Sequence, residues 1–195
     1  MIEEGATNLE LVETKPTSYA RNMHFFHHYR QLLIEEKYST TRRENLKVTY
    51  ICGSPGVGKT RYIMDKYGDG NVYRITDYDK NMAFDNYNNE DIVVFEEFRS
   101  QVRIDIMLSW LDIYPLKLKA RYQNKQACYT KVYITTNWKL SEQYKKVQES
   151  HPLTWQAFLR RIHEYYNFDQ SKTEQVPKHT SLYDLIPVSE DELPF

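Results

Sequence analysis

From Thr17 to Lys37 apolar and aromatic residues stand at Tyr19, Met23, Phe26, Tyr29, Leu33 and Ile34, with separations of 3, 4 and 7 that place them on one helical face. The spacing predicts a helix or helical pair opening near Pro16 and Thr17. The polar run Ser39 to Asn45 breaks the pattern and reads as a linker. Beyond it the period shortens. Lys47 to Cys52 (KVTYIC) is a β-rich run that enters a glycine loop, and a helix is expected from about Gly58 to Tyr67. Further β-rich runs fall at Asn71 to Thr76, Asp91 to Phe95 and Tyr129 to Thr135, with helical patterns at Ile104 to Leu111 and around Trp155 to Ile162, and a last strand through Tyr165 to Phe168. Alternation of this kind predicts an α/β sheet. The expected organisation is an N-terminal helical segment with linker over 1–45, an α/β domain over 46–168, and a flexible acidic tail over 169–195, where periodicity is lost and three prolines occur.

Composition narrows the class without changing that picture. The 195 residues are 41% apolar and 27% charged, as in one ordinary folded domain with a short appendage. No stretch approaches the roughly 20 uncharged apolar residues that span a bilayer, so an intracellular protein with no membrane partner is expected. Cys52 and Cys128 alone make neither a disulfide framework nor a four-ligand zinc site, and both read as reduced core residues. Net charge is −1, but Arg99 to Phe168 holds twelve Lys/Arg against five Asp/Glu, whereas the tail holds two against six. An anionic partner for the middle of the chain follows, and 17 tyrosines suit stacking on bases.

The candidate chemistry begins at Gly53-Ser54-Pro55-Gly56-Val57-Gly58-Lys59-Thr60, a full G-x-x-x-x-G-K-[ST] loop between a β-rich run and a helix. The glycines let successive N–H groups face an anion; Lys59 can reach the β/γ-phosphates of ATP, and the Thr60 hydroxyl can ligate Mg²⁺. A second element, Asp91-Ile92-Val93-Val94-Phe95-Glu96-Glu97-Phe98, ends a buried strand in two carboxylates. Their side chains leave the strand in different directions, so Glu96 is expected in the Mg²⁺ shell and Glu97 beside the attacking water. A third run, Val132 to Asn137 (VYITTN), delivers an amide that can hydrogen-bond the γ-phosphate or the water.

GSPGVGKT, IVVFEEF and VYITTN, in that order within about 85 residues, resemble Walker A, Walker B and motif C of superfamily 3 helicases. With YPLKLKARYQNKQACYTKVYITTN and AFLRRIHEYY, the likeness is closer still to the helicase domain of replication-initiator (Rep) proteins of small circular single-stranded DNA viruses and their bacterial plasmid relatives. The resemblance runs from about Leu46 to Phe168. It implies a P-loop NTPase core of AAA+-like superfamily 3 type, an N-terminal segment that serves oligomerisation, and a ring, six subunits in that family. It also implies an ATP- and Mg²⁺-dependent motor on single-stranded DNA in rolling-circle-type replication. Lys59, Thr60, Glu96, Glu97 and Asn137 match that family's nucleotide-binding pair, acids and sensor, and Arg160 and Arg161 match twin arginines that include a finger reaching the neighbouring subunit's site. Many viral members carry Asp-Asp where this chain has Glu-Glu.

Ile113 to Ser141 contains Lys117, Lys119, Arg121, Lys125, Lys131 and Lys139 and no Asp or Glu, a cationic segment suited to nucleic acid. Lys117, Lys119, Arg121, Tyr122 and Lys125 lie in the stretch that resembles the family's DNA-contacting hairpin, although Arg121-Tyr122-Gln123-Asn124-Lys125 replaces a glycine-containing tip. His24, His27 and His28 share a helical face but sit among Phe25, Phe26 and Tyr29 and read as packing and surface residues. The stretch before the P-loop has no room for the family's nicking nuclease, so nicking is expected elsewhere, whether this chain is a fragment or another protein supplies it. Glu190 to Phe195 resembles the acidic tip by which bacterial single-stranded-DNA-binding proteins dock replication partners. A bacterial cytoplasm is the expected compartment, or the host nucleus for a eukaryotic virus. Two alternatives stay open: an RNA helicase of the same superfamily, and a nucleotide-gated binding module that does not translocate.

Overall fold

The computed structural model describes residues 7–78, 83–121, 123–170 and 178–179. Tyr122 and the Glu190 to Phe195 tip lie outside the described residues.

Five parallel strands form the centre of the molecule: β1 (Lys47–Cys52), β2 (Val72–Ile75), β3 (Ile92–Phe95), β6 (Lys131–Thr136) and β7 (Glu164–Asn167). Their order across the sheet is β2-β3-β6-β1-β7, with β8 (Lys178–His179) added antiparallel to β7 at the edge. Ordered strand pairing therefore continues into the stretch expected to be tail. Strand β1 sits between β6, with Cys52 opposite Thr136, and β7, with Cys52 opposite Asn167. The strands are nearly continuous runs of β-branched and aromatic residues because both sheet faces are covered.

Alternate side chains enter two cores. Val48, Tyr50, Val93, Phe95, Val132 and Ile134 face one side and pack with Met107 of α4 (Ile104–Trp110) and Phe158 of α6 (Pro152–Leu159). Ile51, Ile92, Val94 and Tyr133 face the other, with Ile63 of α3 (Lys59–Tyr67). Seven of the eight strands and helices expected after residue 46 coincide with observed elements to within a few residues; the remaining one, a helix expected at Trp155 to Ile162, begins earlier, at Pro152. Proline at the first helical position explains the start, since its ring presets φ and its missing N–H costs nothing there. The short helix α5 (Lys145–Ser150) carries no apolar stripe and is not legible from periodicity.

Helix α2 (Pro16–Tyr38) takes the expected span, with a kink at Asn22 (φ −124°, ψ 21°) where the side-chain Nδ2 donates to the Ser18 carbonyl. None of its residues is buried. Phe25 and Leu32, seven residues apart and so on one side of the helix, are exposed, and Met23 is exposed on the opposite side. It is preceded by α1 (Asn8–Thr14), which apolar spacing misses although Thr7 and Glu10 form a reciprocal capping box. The C-terminal end of α2 meets a small hairpin, β4 (Lys117–Leu118) with β5 (Lys125–Gln126): Gln126 Nε2 donates to the Tyr38 carbonyl at 3.1 Å, and Lys117 pairs with Glu35 at 3.3 Å. A cavity of about 680 Å³ lined by Arg30, Gln31, Tyr38 and Lys125 separates helix and hairpin elsewhere.

Candidate nucleotide site

In an open parallel sheet, ligands bind beyond the carboxyl ends of the strands where the order reverses. Here that is the end of β1. The loop Gly53 to Gly58 leaves it and turns directly into α3, whose first residues are Lys59 and Thr60. Gly58 precedes the helix at φ 91°, a conformation that penalises any side chain. At Gly53 the restriction is space: a Cβ would lie 3.0 Å from Phe168 Cβ and 3.2 Å from Val57 Cγ2.

Lys59 is 6% exposed. Its ammonium donates to the carbonyls of Gly53 (2.8 Å) and Ser54 (3.0 Å). Burial holds it below the ordinary lysine value, and the carboxylates of Glu97 and Asp169 partly offset that. It is a cation that burial makes costly and that an incoming anion would stabilise. Asp169 belongs to a single turn, Phe168–Gln170, after β7; its Oδ1 accepts from the Ser54 N–H at 2.8 Å. Asp169 therefore joins the rim of the loop, and no motif announced it. Beneath, the Cys52 thiol contacts the Tyr165 hydroxyl at 2.9 Å, and burial pushes it above the usual thiol value, which fits a packing role.

The two acids at the end of β3 separate as alternation requires. Glu96 turns to β2, where the Arg74 guanidinium donates to both its oxygens, Nη2 at 2.9 Å and Nε also; its side chain is 13% exposed. Glu97, in the left-handed region at φ 48°, is, with Asp169, one of the two carboxylates whose charge favours the Lys59 ammonium. It accepts from Arg99 Nη2 at 3.1 Å, and Arg99 Nε donates to Asn137 Oδ1 at 3.2 Å. Asn137 follows β6, the strand between β1 and β3, so sheet order alone carries the amide to a position between the loop and the acids. Arg99 and Arg74 were not marked by any motif; a basic residue two places after an acid pair is a weak signal in sequence.

Thr60 and Glu96 are hard oxygen donors, suited to Mg²⁺, a cation that keeps waters and substrate oxygens and needs few protein ligands. Among the described residues no group of three or more His, Cys, Asp or Glu side chains is arranged to hold a metal, and His24, His27 and His28 lie on α2, none of them buried.

The twin arginines differ. Arg161 Nη2 donates to Asp112 Oδ2 at 2.5 Å and Nη1 to the Ala157 carbonyl at 2.8 Å. Burial would raise the Asp112 carboxyl, but hydrogen bonds from Arg161 and from the Ile113 N–H hold it below the ordinary range. Arg160 is exposed. The cationic segment Ile113 to Ser141 contains the β4–β5 hairpin, and its charges are not unopposed: Lys117 pairs with Glu35, Arg121 with Asp85, and Lys131, at the start of β6, with Asp91 at 2.5 Å. Lys119 is exposed and Lys125 is half-buried.

A phosphate loop between the central strand and its helix, with acids and an amide from the two next strands, defines a P-loop NTPase core. Residues 49–138 match the family described as RNA helicase. The chain is also similar to the Replication-associated protein of goose circovirus, 28% identical over 161 residues that cover 83% of this chain and 50% of that protein. It is 27% identical to the one of beak and feather disease virus over 175 residues, 90% of this chain and 56% of that protein. The canary circovirus protein is 29% identical over 139 residues, 67% and 42%. The chain spans about half the length of these curated relatives. A crystal structure of JCV helicase bound to an acetamide compound aligns distantly, at 16% identity and a TM-score of 0.39 over 73% of this chain and 42% of that one. The family match and the similarity to circovirus Replication-associated proteins support a superfamily 3 helicase domain of the Rep type. Among the described residues no helix is long and apolar enough to cross a membrane.

Proposed function

We propose that this domain hydrolyses ATP with Mg²⁺ in a ring of identical subunits and uses the cycle to move along single-stranded DNA during replication. One observation carries the reading: the ends of β1, β6 and β3 bring Lys59, Asn137 and Glu97, far apart in sequence, to one edge of the sheet.

The loop N–H groups and Lys59 bind the phosphates, and the Gly53 and Ser54 carbonyls release the ammonium as the anion arrives. Mg²⁺ bound with ATP would offset phosphate charge, held by Thr60 and by Glu96 once the Arg74 fork yields one of its oxygens. Glu97 orients and polarises the attacking water, accepting its proton, and Asn137 hydrogen-bonds the terminal phosphate. Arg160 is the arginine available to a neighbouring subunit, because Arg161 is committed to Asp112 within its own. The exposed Phe25 and Leu32 on one side of α2 are the surface we assign to subunit contact, and Lys119 and Lys125, with Arg121, are the cations we assign to the path of the strand.

Steady-state hydrolysis over a range of protein concentrations, without nucleic acid, with single-stranded DNA or with single-stranded RNA, tests this against Lys59→Ala as the blank. A rate per subunit that rises with concentration and responds to DNA supports the ring motor. Selective stimulation by RNA supports the RNA reading, which the description of the matched family favours. A rate equal to the blank despite ATP binding supports a nucleotide-gated module.

A further inference from the structure

The turn that follows β3 is strained where it meets the site. Glu97 (φ 48°) and Ser100 (φ 58°) both occupy the left-handed region without being glycine, a state that persists only where surrounding contacts over-determine it. Those contacts are present. Ser100 Oγ donates to Gln143 Oε1 at 2.6 Å and accepts from the Tyr144 N–H at 2.8 Å. Gln143, with 0% exposure, donates through Nε2 to the Phe98 carbonyl and the Tyr50 hydroxyl. On the open side, Gln101 Nε2 donates to the Glu97 carbonyl at 2.9 Å, and the Arg99 N–H donates to Gln101 Oε1 at 2.5 Å. A turn clamped at both ends thus presents Glu97 and Arg99 together.

The Arg99 guanidinium joins groups from two strands, donating Nη2 to Glu97 Oε2 and Nε to Asn137 Oδ1. An exposed ion pair, with side chains 45% and 60% accessible, adds little to stability, so stability does not account for a strained turn that serves it. A donor-only fork does decide orientation: with Oδ1 of Asn137 engaged, the amide Nδ2 is left to donate to an anionic oxygen, and the Glu97 carboxylate is held at a set distance from it.

We propose that Arg99 is a positioning residue for hydrolysis, fixing Glu97 and Asn137 relative to each other so that the attacking water is aligned on the terminal phosphate. This rests on the ATPase reading above. Arg99 acts on the chemical step and leaves nucleotide binding to the loop.

The test compares wild type, Arg99→Ala, Arg99→Lys, Asn137→Ala and the Arg99→Ala/Asn137→Ala double variant in the full chain with single-stranded DNA, measuring kcat and KM for ATP and the affinity for a fluorescent ADP. Arg99→Ala is expected to lower kcat by about 10- to 100-fold, the scale of a misplaced reacting group, with KM and ADP affinity unchanged. Arg99→Lys keeps the charge but not the fork and recovers only a minor part. The double variant should be no slower than the worse single one, as for groups that act as a unit. An unchanged kcat in Arg99→Ala, a parallel loss of ADP affinity, or independent losses in the double variant would each overturn the proposal while leaving the ATPase reading intact. A wild-type rate equal to that of Lys59→Ala removes both.

Discussion

At the phosphate loop and at the β4–β5 hairpin the same tertiary structure does opposite things with charge. At the loop, residues scattered over more than a hundred positions converge: Lys59, Glu97, Asn137 and Asp169 arrive from the ends of β1, β3, β6 and β7. At the hairpin and the start of β6, cations that are close together in sequence are parcelled out to acids from elsewhere, Glu35 on α2, Asp85 and Asp91. Strand ends are fixed by hydrogen-bonded register, so their side chains hold a geometry. The hairpin, with two paired residues in each strand, meets α2 instead through side chains, Gln126 donating to the Tyr38 carbonyl and Lys117 pairing with Glu35.

The contrast is broken most severely by Lys59→Ala, which should reduce hydrolysis to background with the far-UV circular dichroism unchanged. Next is Arg160→Ala, for which a loss of about 10³-fold in hydrolysis is expected for a finger acting in trans. Mixing Arg160→Ala with Lys59→Ala subunits should restore part of the rate, and failure to do so would place the arginine outside the neighbour's site.

Arg161→Ala should act on stability instead, by about 1–3 kcal/mol, because it leaves Asp112 half-buried without its partner; thermal melting reads this. The pH dependence carries a sign. The folded Asp112 carboxyl lies below its unfolded value, so its stabilisation is complete above that unfolded value, near about 4, and fades as pH falls through the lower folded one. Wild type should therefore lose melting temperature on acidification from about pH 5 to about pH 3, and Asp112→Asn should lose less over the same interval.

The smallest effects belong to the hairpin. Lys119→Ala with Lys125→Ala should weaken single-strand binding several-fold and flatten its salt dependence, the logarithmic slope falling by about 0.7 for each phosphate that is no longer neutralised. Arg121→Ala alone should do less, since Asp85 already engages that guanidinium. A larger effect from Arg121 than from the lysine pair would show that the Asp85 ion pair yields to DNA.

Much of this was legible in the chain. The β1 bounds follow from KVTYIC, and α3 follows from the G-x-x-x-x-G-K-T loop, because period-2 and period-3.6 patterns reflect which face is buried, and the turn chemistry is local. Helix α1 was legible too, through Thr7 and Glu10, but a capping box is a different signal from apolar spacing. Arg99, Asp169 and Gln143 were not legible: each matters through a partner tens of residues away, and nothing in its own neighbourhood marks it. Nor does a run of cations reveal which acids will come to face it.

By itself the sequence determined the five parallel strands and the helices α2, α3 and α4, the phosphate loop, the acids at the end of β3 and the amide after β6, all of them properties of short windows where backbone chemistry and burial pattern act locally. Tertiary structure alone decided that β6 lies between β1 and β3, that Glu96 turns to Arg74 while Glu97 turns to Lys59, and that Arg161 is tied down while Arg160 is exposed. Those choices depend on which distant groups share a low-dielectric neighbourhood, and proximity of that kind exists only once the sheet has closed its register.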